Sequence, residues 1–519
     1  MPLWVPLLLS LPAWIPLACA AIKAWANGQV PTAFIAYDLP YYVANGRQHF
    51  ERGFHLFYNN PYASYGSPAI YFQPHLFLLG VLQWLGVSPD LSLILFGVGA
   101  VAFASVVAGK LYQEWAGWET TAQKLGFVCF FWGGGLLSLG GAVVGLMGHV
   151  NPAKTLFVFD PGKGWWMLNF GRNLVYPTEA FYHGLFLLAI LSLIRKRFGW
   201  TLAAAAVLSA SHPFTGLSLA LILAAYAALE LLLDSGAASW RLLAGACAIT
   251  VLHVGYYVVF LNRFADHRAM QEQWSLDWPY MFWTFVPALY LVGIFAFGRL
   301  TRWKNLKPVL AQPRMRLCLA WFAVIFGLTQ HDLVIRPRQP IHFAHGYDWM
   351  ALFFLATPAL FAAMEKMLAI RRAPLRVAAL AGFLLLFLSD NLIWFASAAD
   401  ASAPENAVSL TRDVKDVLDW LGRRAAAPAY VASTNQWVNY LTPTYTHVRS
   451  WSGHDYNTPH GKEKKRQVTE AFSAGKPIPT TNPVYYIPAR SLHWTPPEGS
   501  REVYANQTYE VWLYAPPVR

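Results

Sequence analysis

Continuous apolar runs of about 20 residues, each long enough to cross a hydrocarbon layer of about 30 Å as a helix, recur from the N-terminus to about residue 398. Nothing else in the sequence constrains the fold as strongly. Only 13% of the 519 residues are charged, against about 25% in an ordinary soluble domain. The expectation is a polytopic α-helical membrane protein with about 11 to 13 crossings. From about Ala401 the composition turns soluble, which sets a boundary between a membrane domain over 1–399 and a C-terminal domain over 400–519.

Of the net charge of +12, all but +2 belongs to the membrane part, because residues 400–519 hold 13 Lys and Arg against 11 Asp and Glu. Four basic clusters mark one side of the bilayer: Arg195-Lys196-Arg197, Arg241, the stretch Arg299 to Arg316, and Lys366 with Arg371, Arg372 and Arg376. Basic loops face the cytoplasm, so nucleic acid is not the expected partner. The first run, about Leu3 to Ile22, is long and lacks a basic start, and it reads as a retained helix rather than a secretion signal. Counting back from the clusters gives helices near 176–196, 199–211, 214–233, 239–261, 280–299, 315–330, 347–369 and 375–398. The segments 27–68, 150–175, 262–279 and 331–346 and the tail then lie outside. Cys19, Cys129, Cys247 and Cys318 all fall in apolar runs, so no disulfide framework is expected.

Residues 69–150 resist this scheme, because three apolar runs stand where an even number of crossings is needed. One run must be re-entrant, split or interfacial. The candidates are 69–86, which contains Pro74, and 125–149, which contains Gly133-Gly134-Gly135 and Gly140-Gly141. Non-helical backbone at that depth survives only where protein or a wet cavity covers it. In the tail, Thr411 to Arg424 has helical periodicity with Val414, Val417, Leu418 and Leu421 on one face. Strand-like runs at Ala429 to Ala432 and Pro483 to Ile487, a basic helix at Gly461 to Phe472 and a closing strand pair at Glu502 to Tyr514 predict a small α/β domain.

Outward loops should be poor in basic residues, yet these hold Arg47, Arg52, Lys154, Lys163, Arg172, Arg263, Arg268, Arg336 and Arg338. An anionic ligand at the outer leaflet would explain them, since guanidinium binds phosphate through paired, charge-assisted hydrogen bonds. The alternative is contact with lipid headgroups or pairing with local acids such as Asp266 and Asp332. The intramembrane Glu179, His183, His253, Asp348 and Asp390 are costly in hydrocarbon and should face protein or a cavity. Trp165-Trp166 reads first as an interfacial anchor, and His212-Pro213 as a helix boundary.

The first outer loop carries Tyr37-Asp38-Leu39-Pro40-Tyr41-Tyr42, then Arg47, Glu51 and Asn60-Pro61-Tyr62. Asp38 follows an apolar helix where membrane meets water, and its carboxylate can take a proton from an acceptor hydroxyl. Equally, it can cap a helix that begins at Pro40.

An apolar first helix, a long outer loop opening with an Asp in an aromatic setting, an Asn-Pro-Tyr, many further helices and a soluble tail resemble the GT-C superfamily of integral-membrane glycosyltransferases. The tail features Gly453-His454, Thr458-Pro459 and Lys462 to Lys465, and the segments Gly171-Arg172-Asn173 and His212-Pro213-Phe214-Thr215-Gly216, are similar to bacterial members. The resemblance implies transfer of a sugar from a polyprenyl-phosphate donor to a glycan, lipid or protein acceptor at the outer leaflet, with inversion. It also implies that Asp38 is the general base. Many relatives have a second acid beside this Asp. Here position 39 is Leu and Glu51 is distant along the loop, so a divalent metal is an open possibility rather than an expectation.

The loop Arg336-Pro337-Arg338-Gln339-Pro340-Ile341-His342 is held extended by its prolines, and it is expected to present both guanidiniums, with His342, to the donor phosphate. Arg172 and Lys154 are further candidates. Tyr41, Tyr42, Arg47, Glu51, Asp348 and His454 are candidate acceptor or substrate contacts. No metal-spacing motif, phosphate-cradling glycine loop or nucleophile elbow is present. Two rivals remain, a flippase or transporter of a lipid-linked substrate and a non-catalytic scaffold. The dense Tyr, Asn and Arg content of the first loop favours an enzyme over both.

Overall fold

Proline opens helices throughout the chain. Pro74, Pro89, Pro152, Pro177, Pro213 and Pro313 each stand at the first position of a helix, where the missing N–H needs no partner and φ is already helical. The computed structural model describes residues 1–51, 53–159, 169–234, 237–273, 282–300, 306–336, 339–400 and 407–517. After residue 175 the helices follow the expected series: Pro177–Ile194, Phe198–Ser211, Pro213–Asp234, Ala237–Val254, Phe282–Leu300, Pro313–Thr329, Tyr347–Leu368 and Ala373–Asp400. His212 is the extended residue between Ser211 and Pro213, as the His-Pro boundary predicts.

Among the described residues seven helices are long and apolar enough to cross a membrane: Trp4–Ala26, Pro89–Ala116, Pro177–Ile194, Pro213–Leu233, Ser239–Arg263, Tyr347–Leu368 and Ala373–Ala398. The protein is an integral membrane protein. Thr121–Trp132 and Leu137–Met147 form one further apolar pair bent by 65°, and Phe198–Ser211 and Val286–Gly298 are shorter apolar helices. Several of the apolar runs in the described residues are shorter than a bilayer. The bend falls at Gly133-Gly134-Gly135, where the sequence placed a break. Pro74 does not interrupt its run but starts the helix Pro74–Trp84, whose 11 residues reach only about 16 Å.

The chain divides into two compact units: Met1–Pro16, Gly97–Val254 and Leu276–Ala401 in the first, and Leu17–Phe96, Gly255–Ser275 and Ser402–Arg519 in the second. The first unit is the larger helical part. Two of its basic clusters converge, as Arg195 donates to the Glu114 carboxylate at 2.6 Å and Arg314 donates to the Glu114 carbonyl at 2.9 Å. That convergence puts the two clusters on one side of the unit. Asp390, 2% exposed, accepts backbone N–H bonds from Leu137 at 3.1 Å and Ser138 at 2.9 Å. A carboxylate there meets the positive end of a helix and satisfies two donors that the bend leaves open.

The second unit joins the 27–68 segment to the tail. Its five-stranded sheet runs in the order Arg449–Ser450, Tyr430–Ser433, Val484–Ile487, Glu510–Tyr514, Arg501–Ala505. The first three strands are parallel, with Tyr430 opposite both Arg449 and Val484, and the last two are antiparallel additions. Helix Arg412–Arg424 buries Val414, Val417, Leu418 and Leu421, and the Thr411 side chain caps it by accepting from Val414 N. The sequence reading missed helix Gln436–Tyr445, which contains Pro443 and is capped by Asn435. Residues of the 27–68 segment are fastened to the tail by Tyr62 Oη donating to Tyr440 O at 2.8 Å and Asn60 Nδ2 donating to Asn457 O at 2.6 Å. Arg449 Nη1 donates to Ala63 O at 3.0 Å. Helices Leu39–Gln48 and Pro74–Trp84 approach so closely that a Cβ on Gly80 would lie 2.2 Å from Gly46 O, so only glycine fits there.

Candidate active site

Asp38 stands at the N-cap of helix Leu39–Gln48, but its side chain makes no capping bond. Oδ1 instead accepts a hydrogen bond from His454 Nε2 at 3.0 Å. The tautomer follows from the other ring nitrogen: His454 Nδ1 accepts from Tyr456 N at 3.1 Å and Asn457 N at 3.2 Å, so the proton sits on Nε2 and points at Asp38. His454 is fully buried while the Asp38 side chain is 55% exposed. One end of the pair is fixed by backbone and the other is open to reactants.

Rings enclose His454: Tyr37, Tyr41, Tyr440 and Tyr62 have centroids 4.9, 5.0, 5.2 and 5.9 Å away. Tyr62 packs so tightly on Gly453 that a Cβ there would meet its ring at 2.6 Å. The Tyr440 hydroxyl donates to Tyr37 O, and Asp455 N donates to the Tyr37 hydroxyl at 3.1 Å. Burial pushes the Tyr41 phenol up to about 12 and raises Tyr37, Tyr62 and Tyr440 above the ordinary tyrosine value. These hydroxyls therefore stay neutral, and the carboxylate of Asp38 is the basic group beside them.

The other candidates fall into place unevenly. Arg47 Nη1 donates to Thr446 O at 2.5 Å, and Glu51 is held by Gln48 at 2.5 Å and His447 at 3.2 Å. Both brace loop against tail in this structure. Tyr42 packs 6.0 Å from His75.

In the first unit Arg172 is bonded within the protein. It is 2% exposed, donates to Asn391 Oδ1 at 2.8 Å and Asp390 O at 3.1 Å, and lies 5.1 Å over Trp394. A guanidinium so engaged locks helix to helix and is not presented to a ligand. Lys154 and Arg336 are exposed. Arg338, like Arg52, Lys163 and Trp165-Trp166, lies outside the described residues.

His342 stacks 4.7 Å from Phe214 and 5.9 Å from His345. Asp348 is buried and accepts from Trp349 N at 2.8 Å, a position inside the first unit. There the fold also assembles a cluster that spacing concealed. His345 Nδ1 lies 3.2 Å from Glu179 Oε2, and the two ring nitrogens of His183 lie 2.8 Å from Glu179 O and 3.0 Å from His345 O. Left-handed backbone at Gln339, His345 and Gly346 shapes this loop, a conformation that is costly for the two non-glycine residues. Among the described residues no three His, Cys, Asp or Glu side chains are placed to share a metal ion.

No family model matches the chain, and no curated protein matches it. Solved structures do. ArnT from Cupriavidus metallidurans in the apo state aligns over 96% of this chain and 97% of its own, at 12% identity and a TM-score of 0.48. The archaeal oligosaccharyltransferase AglB from Archaeoglobus fulgidus, in complex with an inhibitory peptide and a dolichol-phosphate, aligns over 92% and 69% at 11% identity and 0.48. The apo form of the Archaeoglobus fulgidus oligosaccharyltransferase aligns over 86% and 64% at 12% identity and 0.48.

Proposed function

We propose that the chain is an inverting glycosyltransferase that moves a sugar from a polyprenyl-phosphate donor to an acceptor at the outer face of a bacterial inner membrane, with its tail extracytoplasmic. The observation that carries this reading is the Asp38 carboxylate, turned away from its helix and held by a backbone-anchored imidazole N–H. The acceptor O–H gives its proton to Asp38 as its oxygen attacks the anomeric carbon. The bond from that carbon to the phosphate oxygen breaks, and polyprenyl phosphate leaves with the electron pair. Fixed positive charge assists departure, a role for which Arg336 and Arg338 are suited by residue type. Attack opposite the leaving group inverts the anomeric centre. His454 is a positioning residue, holding the carboxylate by one oxygen while leaving Oδ2 without a hydrogen-bond partner among the described residues.

The test is transfer from a radiolabelled polyprenyl-phosphate sugar in proteoliposomes. Asp38→Asn keeps the shape and removes the base. Transfer should fall by about 10²- to 10⁴-fold with unchanged folding and donor binding. Full activity would remove Asp38 from the chemistry, and movement of labelled lipid without a new glycosidic bond would favour the transporter.

A further inference from the structure

The second unit contains a cavity of about 470 Å³ whose lining includes Tyr37, Gln436, Trp437, Tyr440, Asp455 and Lys465. That volume lies within the roughly 300–1,000 Å³ of clefts that hold small molecules. Its place in the chain is specific: Tyr37 precedes Asp38, while Gly453 and Asp455, both in the lining, flank His454. The cavity therefore begins one residue from each member of the Asp38–His454 pair.

Its chemistry narrows the occupant. Tyr37 and Tyr440 stack at 4.8 Å, and Trp437 continues the aromatic wall 6.2 Å from Tyr440. Trp437 is half-buried, and its indole N–H has no hydrogen-bond partner among the described residues. Around these faces stand neutral groups, the exposed Gln436 amide with the hydroxyls of Thr434, Ser452 and Thr469. The one charged pair in the lining is Asp455 with Lys465, at 4.0 Å.

An acyl chain would cover these polar groups without bonding them, which is costly. A strongly charged ligand would meet opposite charges already paired. A sugar ring has a C–H face for the aromatics, which combine an apolar body with a polar edge, and neutral hydroxyls for the amide and the alcohols. We infer that this cavity is the acceptor subsite and that the acceptor is a carbohydrate. Its terminal sugars lie along Trp437 and the open edge of Tyr37, with the buried Tyr440 backing that wall, and the reacting hydroxyl emerges beside Asp38. The inference rests on the proposed transferase reading and adds the substrate class.

The test uses the full chain in a detergent that carries no sugar headgroup, with neutral trisaccharides of glucose, galactose, mannose and N-acetylglucosamine as probes, by saturation-transfer NMR. At least one probe should bind. Trp437→Ala should weaken it roughly three- to tenfold, the worth of one aromatic contact, while Trp437→Phe retains most of the affinity and thermal unfolding stays unchanged. Gln436→Ala should weaken it less. Asp38→Asn should bind the probe as the parent does, so a fully active Asp38→Asn with Trp437-dependent binding defeats the base alone. Failure of every trisaccharide to bind, or binding indifferent to Trp437→Ala and Gln436→Ala, overturns the carbohydrate subsite even if transfer requires Asp38.

Discussion

In the first unit Asp390 turns both carboxylate oxygens to the start of helix Leu137–Met147, whereas in the second Asp38 occupies the start of helix Leu39–Gln48 and bonds to none of its N–H groups. The two carboxylates have the same chemistry and opposite duties. Asp390 is 2% exposed and has each oxygen taken by a backbone donor, so it can do little but hold the bend. Asp38 spends one oxygen on His454 and stays half open to solvent. Availability, set by burial and by who claims the lone pairs, separates a structural acid from a reactive one.

The sharpest way to break this contrast is to exchange its readouts. Asp38→Asn should abolish transfer by the factor given above and leave the melting temperature where it was. If it unfolds the protein instead, Asp38 is a structural acid like Asp390. Asp390→Ala should do the reverse, removing about 2–5 kcal/mol of stability by leaving two buried N–H groups without acceptors. Thermal unfolding in detergent reads it, and an unchanged melting temperature would show that water replaces the carboxylate.

His454→Ala should reduce kcat roughly tenfold or more with little change in donor KM, and His454→Gln, which can still present an N–H, should recover part of it. No recovery would mean that the imidazole does more than position.

A smaller effect concerns acid. Burial holds His267 down to about 4, below its ordinary value of about 6.5, so the folded state binds its proton less readily than the unfolded chain. The stability this contributes is complete above about pH 6.5 and is lost as pH falls towards 4. His267→Gln should flatten that part of the pH–melting curve, and an unaltered curve would assign the loss elsewhere. Thr411→Ala, which removes the cap of Arg412–Arg424, should cost about 1 kcal/mol and leave transfer intact.

The helices after residue 175 and the tail elements at Arg412–Arg424, Val484–Ile487 and Gly461–Ser473 were readable because their signals are local. An apolar run bounded by arginines, or four valines and leucines at helical spacing, states its own conformation. Helix Gln436–Tyr445 was not readable, because Pro443 and a polar face mask its period and burial against the outer loop stabilises it. The Asp38–His454 bond joins residues 416 apart, and the Glu179–His345 contact is equally invisible to spacing. His454 could be named as a candidate but not assigned a partner, and His345 was not singled out. For Arg172, residue type suggested a phosphate ligand, and a buried site among Asn391, Asp390 and Trp394 claimed it first.

Hydrophobic length and the placement of charge are properties of adjacent residues, and they were enough to make this chain membrane-embedded, to orient its expected loops and to mark Asp38 as either a cap or a base. The choice between those two belonged to the folded chain, because it depends on whether a distant imidazole, fixed by its own backbone bonds, reaches the carboxylate before the helix does.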